Sequence, residues 1–153
     1  MAKIVLTNAS VVFLDGGGSP YDFSDLISSV SLSTTHEILD VTPVTNGGVI
    51  YKEVIAGVGT NSVTFDFYQD FANASLEEFF NGKPPYTLMP IRVGTKVNCR
   101  VRPNNAAISA SNPEYQFEVL VTDWTSLNAQ VGALSTMQVS WPISGAITKD
   151  ITP

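Results

Sequence analysis

Four carboxylates between residues 61 and 83 come closest, in type and spacing, to residues that could do chemistry. They are Asp66, Asp70, Glu77 and Glu78. Paired carboxylates can exchange a proton with a substrate or hold a divalent cation. Their spacing matches neither an EF-hand loop nor a zincin motif. Alternation places the aspartates on a solvated strand face, and the glutamates suit the first turn of a helix, where the helix dipole favours negative charge. We therefore expect structural roles and no metal site.

The only imidazole and the only thiol of the chain belong to His36 and Cys99. A catalytic triad would need His36 beside an activated serine or cysteine, and the sequence contains no G-x-S-x-G elbow. Cys99 has no second cysteine for an intrachain disulfide, and the grouped ligands of a structural zinc site are missing. The sequence thus predicts a protein that is not an enzyme and needs no cofactor.

Composition and charge narrow the classes of function further. The 153 residues are 44% hydrophobic and 14% charged, which favours a single β-rich domain spanning 1–153. The formal net charge of −6 argues against a general nucleic-acid binder, because such proteins gain affinity from basic residues that neutralise phosphates. No apolar run approaches the roughly 20 residues needed to cross a bilayer, so we expect no membrane partner.

Alternation of apolar and polar side chains predicts a mainly β chain, with strands within 2–14, 29–41, 62–69, 87–102, 114–124 and 134–142. The segment 44–61 instead holds two glycine-rich stretches, "TNGG" and "GVGT", around "VIYKEVIA". It is predicted to be a long loop or mobile arm containing one short extended piece. We expect this arm to become ordered when a neighbouring subunit covers its four apolar side chains, Val49, Ile50, Val54 and Ile55.

One short helix is predicted at about 75–81, inside the otherwise β chain. Leu76, Phe79 and Phe80 recur at i, i+3 and i+4, which is one face of a helix. Just before it, Phe65 and Phe67 share the apolar face of a strand. We expect these five side chains to pack together, with the helix flanking a β-sandwich or a rolled, barrel-like sheet.

Positive charge is concentrated on one predicted strand and on one of its faces. Its members all have even numbers and would share that face in an unbroken strand: Arg92, Lys96, Arg100 and Arg102. This positive face is either solvated or complementary to the carboxylates of another copy of the chain. Under the second interpretation, these four residues join the four apolar residues of the arm as candidates for a subunit interface.

Five stretches follow one another over nearly the whole chain: "AKIVLTNASVVF", "DLISSVSLSTTHEILDVT", "IAGVGTNSVTFDFYQDFANASLEEFF", "VRPNNAAISASNPEYQFEVLVTDW" and "GALSTMQVSWPISGAITKD". In this order they resemble the small major tail proteins, or tail tube proteins, of long-tailed bacteriophages, especially the actinobacteriophage type. The most specific part is the combination of "FDFYQDFA" before a short helix, "SASNPEYQ" and "WPISGAIT". Relatives often carry Trp-Pro after the helix start, where this chain has "EEFFNGKPPY", a departure that bears on packing around the helix.

The resemblance implies a β-sandwich or rolled sheet whose copies form hexameric rings. The rings would stack into a tail tube that delivers the genome. The partners would be other copies, other phage tail proteins, and genomic DNA that passes without specific binding. Six copies with a net charge of −6 each would give the tube an acidic channel. The location would be the virion tail, after assembly in the host cytoplasm. Capsid decoration or head–tail completion proteins with a related β fold are an alternative, and a small ligand-binding sandwich is a third.

Overall fold

The computed structural model describes residues 8–14, 18–43, 48, 51–70, 79–80, 93–125 and 127–152. The strands in this part of the chain are β1 (Ser10–Leu14), β2 (Pro20–Asp22), β3 (Ile27–Asp40), β4 (Val54–Tyr68), β5 (Lys96–Arg102), β6 (Glu114–Leu120), β7 (Thr136–Ile143) and β8 (Thr148–Asp150). A short 3-10 turn, Ser24–Leu26, precedes β3. The prediction of a mainly β chain is confirmed.

All of these strands belong to one antiparallel sheet that folds over on itself. Their order is β2-β1-β5-β6-β7-β4-β3, with β8 beside β6. β6 and β7 share only the pair Val119 and Ile143, so the sheet folds at this seam into two layers. One layer contains β1, β2, β5, β6 and β8, and the other contains β3, β4 and β7. Across the layers, the rings of Phe13 and Phe65 lie 5.6 Å apart between centroids. The predicted sandwich-like, rolled sheet is confirmed.

Alternation along the strands builds the core between the layers. The inward side chains of β4 are Val63, Phe65 and Phe67, and all three are buried. Trp141 of β7 is also fully buried, and its indole Nε1 donates a hydrogen bond to the carbonyl of Asp123 at 3.1 Å. This bond satisfies the one polar atom of the ring, so the tryptophan packs without a desolvation penalty.

The structure places four of the five residues that we expected around the helix in this core. Phe65 and Phe67 belong to β4, while Phe79 and Phe80 are helical and buried. The ring of Phe80 stacks on Trp124 with 4.3 Å between centroids. Leu76 and most of the predicted helix lie outside the described residues.

The prediction for 44–61 is wrong in its second half. β4 begins at Val54, which pairs with Asp40, so β3 and β4 form one long hairpin. Cross-strand pairs on both sides of the two glycines of "GVGT", Leu39 with Ile55 and Thr35 with Thr60, outweigh these glycines here. The strand expected at 62–69 is therefore only the inner half of a longer one. Residues 44–47, 49 and 50 lie outside the described residues.

Other strand boundaries also differ from the sequence-based expectation, and the short strands β2 and β8 were not predicted. β5 begins at Lys96 because a turn precedes it, in which Gly94 has a φ of 96°, a conformation that favours glycine. β6 ends at Leu120, four residues before the predicted end.

Candidate assembly surfaces

The residues considered for chemistry form no reactive cluster in the described part of the chain. No group of three or more His, Cys, Asp or Glu side chains there could hold a metal ion. His36 is exposed on β3, and Asp66 and Asp70 are half-buried. Cys99 is buried in β5, and this burial raises the pKa of its thiol well above the ordinary range, which keeps it protonated and unreactive. Glu77 and Glu78 lie outside the described residues.

The predicted basic face exists on β5, but it is not simply positive. Lys96, Arg100 and Arg102 lie opposite the buried side of the strand, while Arg92 lies outside the described residues. Carboxylates from β6 of the same chain reach these bases. Lys96 Nζ is 3.5 Å from Glu118 Oε1, and Arg102 Nε is 3.5 Å from Glu114 Oε2. The prediction of a positive face is corrected to a mixed-charge face, because the register of β5 and β6 places acids beside the bases.

Glu114 is the centre of this charge arrangement. It is a buried residue that accepts a hydrogen bond from Gln116 Nε2 at 2.8 Å, and Arg100 Nε lies 3.9 Å from its Oε1. Arg102 also donates to the carbonyl of Ala106 at 3.0 Å. A buried carboxylate needs such compensation, so both arginines are already engaged within their own chain.

The outer end of the β3–β4 hairpin projects beyond the core; its described residues, 36–43 and 51–59, are here called the hairpin arm. Between His36 and Ile38 the pairing register shifts, so that Gly57 and Val58 lie opposite Glu37 alone, as in a β-bulge. A Cβ atom on Gly59 would lie only 2.7 Å from Cε1 of the His36 ring. Gly57 therefore lies in a β-bulge opposite Glu37, and Gly59 leaves room for the His36 ring to lie against the neighbouring strand.

Hydrogen bonds keep the hairpin arm paired beyond the ends of the two strands. The amide of Val41 donates to the carbonyl of Glu53 at 3.0 Å, and the amide of Glu53 donates to Thr42 Oγ1 at the same distance. The hydroxyl and the amide of Thr42 both donate to Asp40, which lowers the pKa of that carboxyl. The arm is thus a defined structural element.

The hairpin arm leaves a group of large apolar side chains exposed: Ile38, Leu39, Val41, Tyr51, Val54, Ile55 and Val58. The exposed fractions of Ile38, Tyr51 and Val58 are 75%, 78% and 70%. An exposed apolar group of this size marks an interaction surface. Val54 and Ile55, which were predicted at a subunit interface, belong to it, and Val49 and Ile50 lie outside the described residues.

The outer face of the layer formed by β3, β4 and β7 is rich in hydroxyl groups. Its cross-strand rows are Ser29 with Asp66 and Gln138, Ser31 with Thr64 and Ser140, and Ser33 with Ser62 and Pro142. In these rows, which we call the hydroxyl face, Asp66 is the only charged residue. The mixed-charge face of β5 and β6 covers the other layer, so the two outer faces differ in chemical character.

An open groove of about 480 Å³ lies where the two layers part. Its walls include Val30 and Leu32 of β3, Val101 of β5 and Tyr115 of β6. A carbohydrate platform would need several exposed rings, and Tyr115 is the only aromatic residue lining this groove in the described part of the chain. The groove therefore gives no support to a carbohydrate-binding sandwich.

The chain is similar to known proteins in its fold and not in its sequence. Neither the protein-family models nor the curated proteins give a match to the chain. In the described part of the chain, no helix is long and apolar enough to cross a membrane.

Among solved structures, the SPP1 tail tube superposes with a TM-score of 0.64 at 12% identity, over 95% of this chain and 77% of that one. The chain therefore has the fold of a tail tube protein. The anti-feeding prophage baseplate, 6-fold symmetrised, gives a TM-score of 0.59 at 13% identity, over 99% of this chain and 98% of that one. The tail of an empty gene transfer agent particle, refined with C6 symmetry, gives 0.52 at 17% identity, over 91% and 93%.

Proposed function

We propose that this chain is a structural subunit of a phage tail and that six copies form a ring whose stacking builds a tail tube. The shared fold supports this proposal, as does the six-fold symmetry of two of the assemblies to which the chain is similar. Its partners are then other copies and other tail proteins. Its location is the virion tail, after assembly in the host cytoplasm. The actinobacteriophage type stays a prediction.

The observation that carries the proposal is the exposed apolar surface of the hairpin arm. Burying a large apolar side chain contributes about 1.5–3 kcal/mol, and the isolated chain forgoes roughly half or more of this for most of the seven arm residues. β3 is also at the edge of the sheet in the described part of the chain, where its backbone groups are available for pairing with another sheet. A second copy of the chain would cover the arm and extend the sheet.

The hydroxyl face suits the wall of a channel that DNA must leave freely. Hydroxyl groups and a single carboxylate give phosphates no cation with which to pair, whereas lysines and arginines would create salt-sensitive adhesion. The net charge of −6 per chain adds repulsion. We place this face toward the channel and the mixed-charge face toward subunit contacts or the exterior. The sequence predicted an acidic wall for the channel. With the hydroxyl face turned inward, the wall is instead nearly uncharged.

Replacing 36–59 by Asn-Gly tests the proposed function. Thr35 and Thr60 are direct partners in the hairpin, so a two-residue turn can close the shortened strands without disturbing the core. The shortened chain should fold and keep the near-ultraviolet circular dichroism of the packed core. It should form no tubes in negative-stain micrographs, whereas the wild type should form rings or tubes.

A point variant with a matched control sharpens this test. Ile55→Asp with Val58→Asp should also abolish tubes, while Val93→Asp with Ile151→Asp, the same two substitutions at exposed positions outside the arm, should not. Tubes from the shortened chain, or a wild type that stays monomeric at high concentration, would contradict the proposal. Particles that form only on capsids would instead favour a decoration protein.

A further inference from the structure

The loop formed by residues 125–135, of which residue 126 lies outside the described residues, is here called the clamped loop and lies at the opposite end of β4 from the hairpin arm. Just past Tyr68, the side chain of Gln69 donates to the carbonyl of Thr125 at 2.7 Å and accepts from the amide of Asn128 at 2.8 Å. The backbone amide of Gln69 donates to the carbonyl of Ser135 at 2.9 Å. Asn128 Nδ2 donates to the carbonyl of Thr136 at 2.6 Å. These bonds tie the loop to the sheet at both of its ends.

The clamped loop exposes three apolar side chains, Leu127, Val131 and Leu134, which we call the loop surface. Their exposed fractions are 67%, 103% and 78%. The sequence from 124 to 148 contains no charged residue, so nothing in this segment repels or attracts a charged partner. A backbone that is already ordered loses little conformational entropy on binding. The loop surface is therefore prepared for an apolar partner.

Charge and area favour the hairpin arm of another copy as that partner. The described part of the arm carries three acidic residues, Glu37, Asp40 and Glu53, and one basic residue, Lys52. Two arms in contact would therefore bring like charges together, whereas an arm on a loop surface would not.

Each large apolar side chain buries roughly 60–120 Å². Two loop surfaces in contact would bury six such side chains and remain below the roughly 1,000 Å² of a specific interface. An arm presents apolar side chains on both of its faces, with Leu39 and Ile55 on one and Ile38 and Val54 on the other, and it also carries the free edge of β3 in the described part of the chain, so it offers the larger contact.

We propose that the loop surface of one copy receives the hairpin arm of another, so that copies join head to tail along the direction of β4. Val58 and Tyr68 of β4 are ten residues apart, so about 33 Å separates the two surfaces. Because the two surfaces differ, each contact leaves one arm and one loop surface free at the ends, and the assembly can grow. This inference rests on the proposed self-assembly and adds a receiving surface and a polarity.

A mixing experiment tests the polarity. The arm variant carries Ile55→Asp and Val58→Asp, and the loop variant carries Val131→Asp and Leu134→Asp; all four side chains are exposed, and thermal unfolding verifies that both variants fold. Each variant alone should fail to elongate. An equimolar mixture should give particles of twice the mass of either one and no longer ones, because only one kind of contact remains possible. Sedimentation velocity measures these masses.

The possible outcomes separate this inference from the proposed function. A wild type that never assembles removes both. If the wild type assembles but the loop variant elongates equally well, or the mixture shows no doubling, only the head-to-tail contact is overturned.

Cross-linking gives an independent measurement of the same contact. Mixed Val58→Cys and Val131→Cys chains should form an intermolecular disulfide under mild oxidation, whereas Val58→Cys mixed with Ile151→Cys should not. The native Cys99 is buried and does not compete. Equal yields from the two mixtures would overturn the proposed contact.

Discussion

Glu114 determines what the arginines of β5 can do. Its side chain is 9% exposed, and those of Arg100 and Arg102 are 45% and 23% exposed. Removing the carboxylate would leave two partly desolvated cations without their counter-charge. A neighbouring subunit would have to compete with Glu114 for these arginines. Their interface role, which stays a prediction, therefore has to coexist with an internal one.

Glu114→Gln should lower the free energy of unfolding by about 1.5–3 kcal/mol, the range for hydrogen bonds to charged groups. Glutamine keeps the shape of the side chain and removes its charge. Glu118→Gln is the matched control, since Glu118 and its partner Lys96 are both more than a third exposed, and we expect a loss below about 1 kcal/mol. Urea denaturation measures both. Equal small losses would show that the pairing of Glu114 is worth no more than a surface pair.

Cys99 makes the stability of the fold depend on pH. Burial is the main cause that raises the pKa of its thiol, and a backbone hydrogen bond from Arg100 opposes it. Between the unfolded and folded pKa values, the unfolded chain has lost the proton and the folded chain keeps it. The unfolded state then binds fewer protons, so stability falls as pH rises. Below the unfolded pKa, at about 8.5, this contribution is fully present.

Cys99→Ala should therefore flatten the decline of the free energy of unfolding above about pH 8.5. The wild type should lose up to about 1.4 kcal/mol more per pH unit than the variant. Urea titrations at matched ionic strength between about pH 7 and 10.5 would measure the two slopes. Parallel curves would mean that the thiol titrates in the same way in the folded and unfolded chains.

At the scale of elements, alternation revealed strands only where one face is buried. Val63, Phe65 and Phe67 alternate with polar residues because the core lies on one side of β4. In the hairpin arm both faces are exposed, so neither face has to be apolar. The alternation of apolar and polar residues is therefore lost there. The sequence therefore predicted the inner half of β4 and missed the outer half. Its glycines indicated flexibility, although they serve a bulge.

The same limit applies to the charged residues. Lys96, Arg100 and Arg102 share a face because they are separated by even numbers of residues in one strand, which is a local property. Their partners Glu114 and Glu118 belong to another strand, so meeting them depends on the register between β5 and β6. Register is fixed by packing across the whole sheet. The sequence predicted that these bases share a face, but it did not predict that Glu114 and Glu118 offset their charge.

The hairpin arm should be the least stable part of β3 and β4 in the free subunit. Among the described residues its strands pair only with each other and bury little apolar surface, so local opening costs less there than in the core. Hydrogen exchange should show amides of 36–40 and 54–59 exchanging at least tenfold faster than those of 63–67. Assembly should protect them. Uniform protection in the monomer, or no change on assembly, would contradict the arm as a contact element.

At the scale of the whole molecule, the two layers have outer faces with different physical consequences. The mixed-charge face offers directional ion pairs, which suit contacts between proteins with defined register. The hydroxyl face offers short, nearly neutral side chains that bind neither cations nor phosphates strongly. A closed assembly must turn one layer inward, and only the hydroxyl face combines low charge with an absence of bases in the rows described above.

A pair of lysines on either face tests which one lines the channel. Thr64→Lys with Ser140→Lys adds two charges to neighbouring positions of the hydroxyl face, and Asn98→Lys with Thr148→Lys adds the same charge to exposed positions of the other layer. Wild-type tubes should not bind short duplex DNA near physiological salt. Both variants should bind it with a steep salt dependence, but only the hydroxyl-face variant should hold it inside the tube, where nuclease cannot reach it.

Nuclease digestion of the bound duplex distinguishes the two locations. Full digestion with the hydroxyl-face variant, or protection with the control, would place the other face toward the channel.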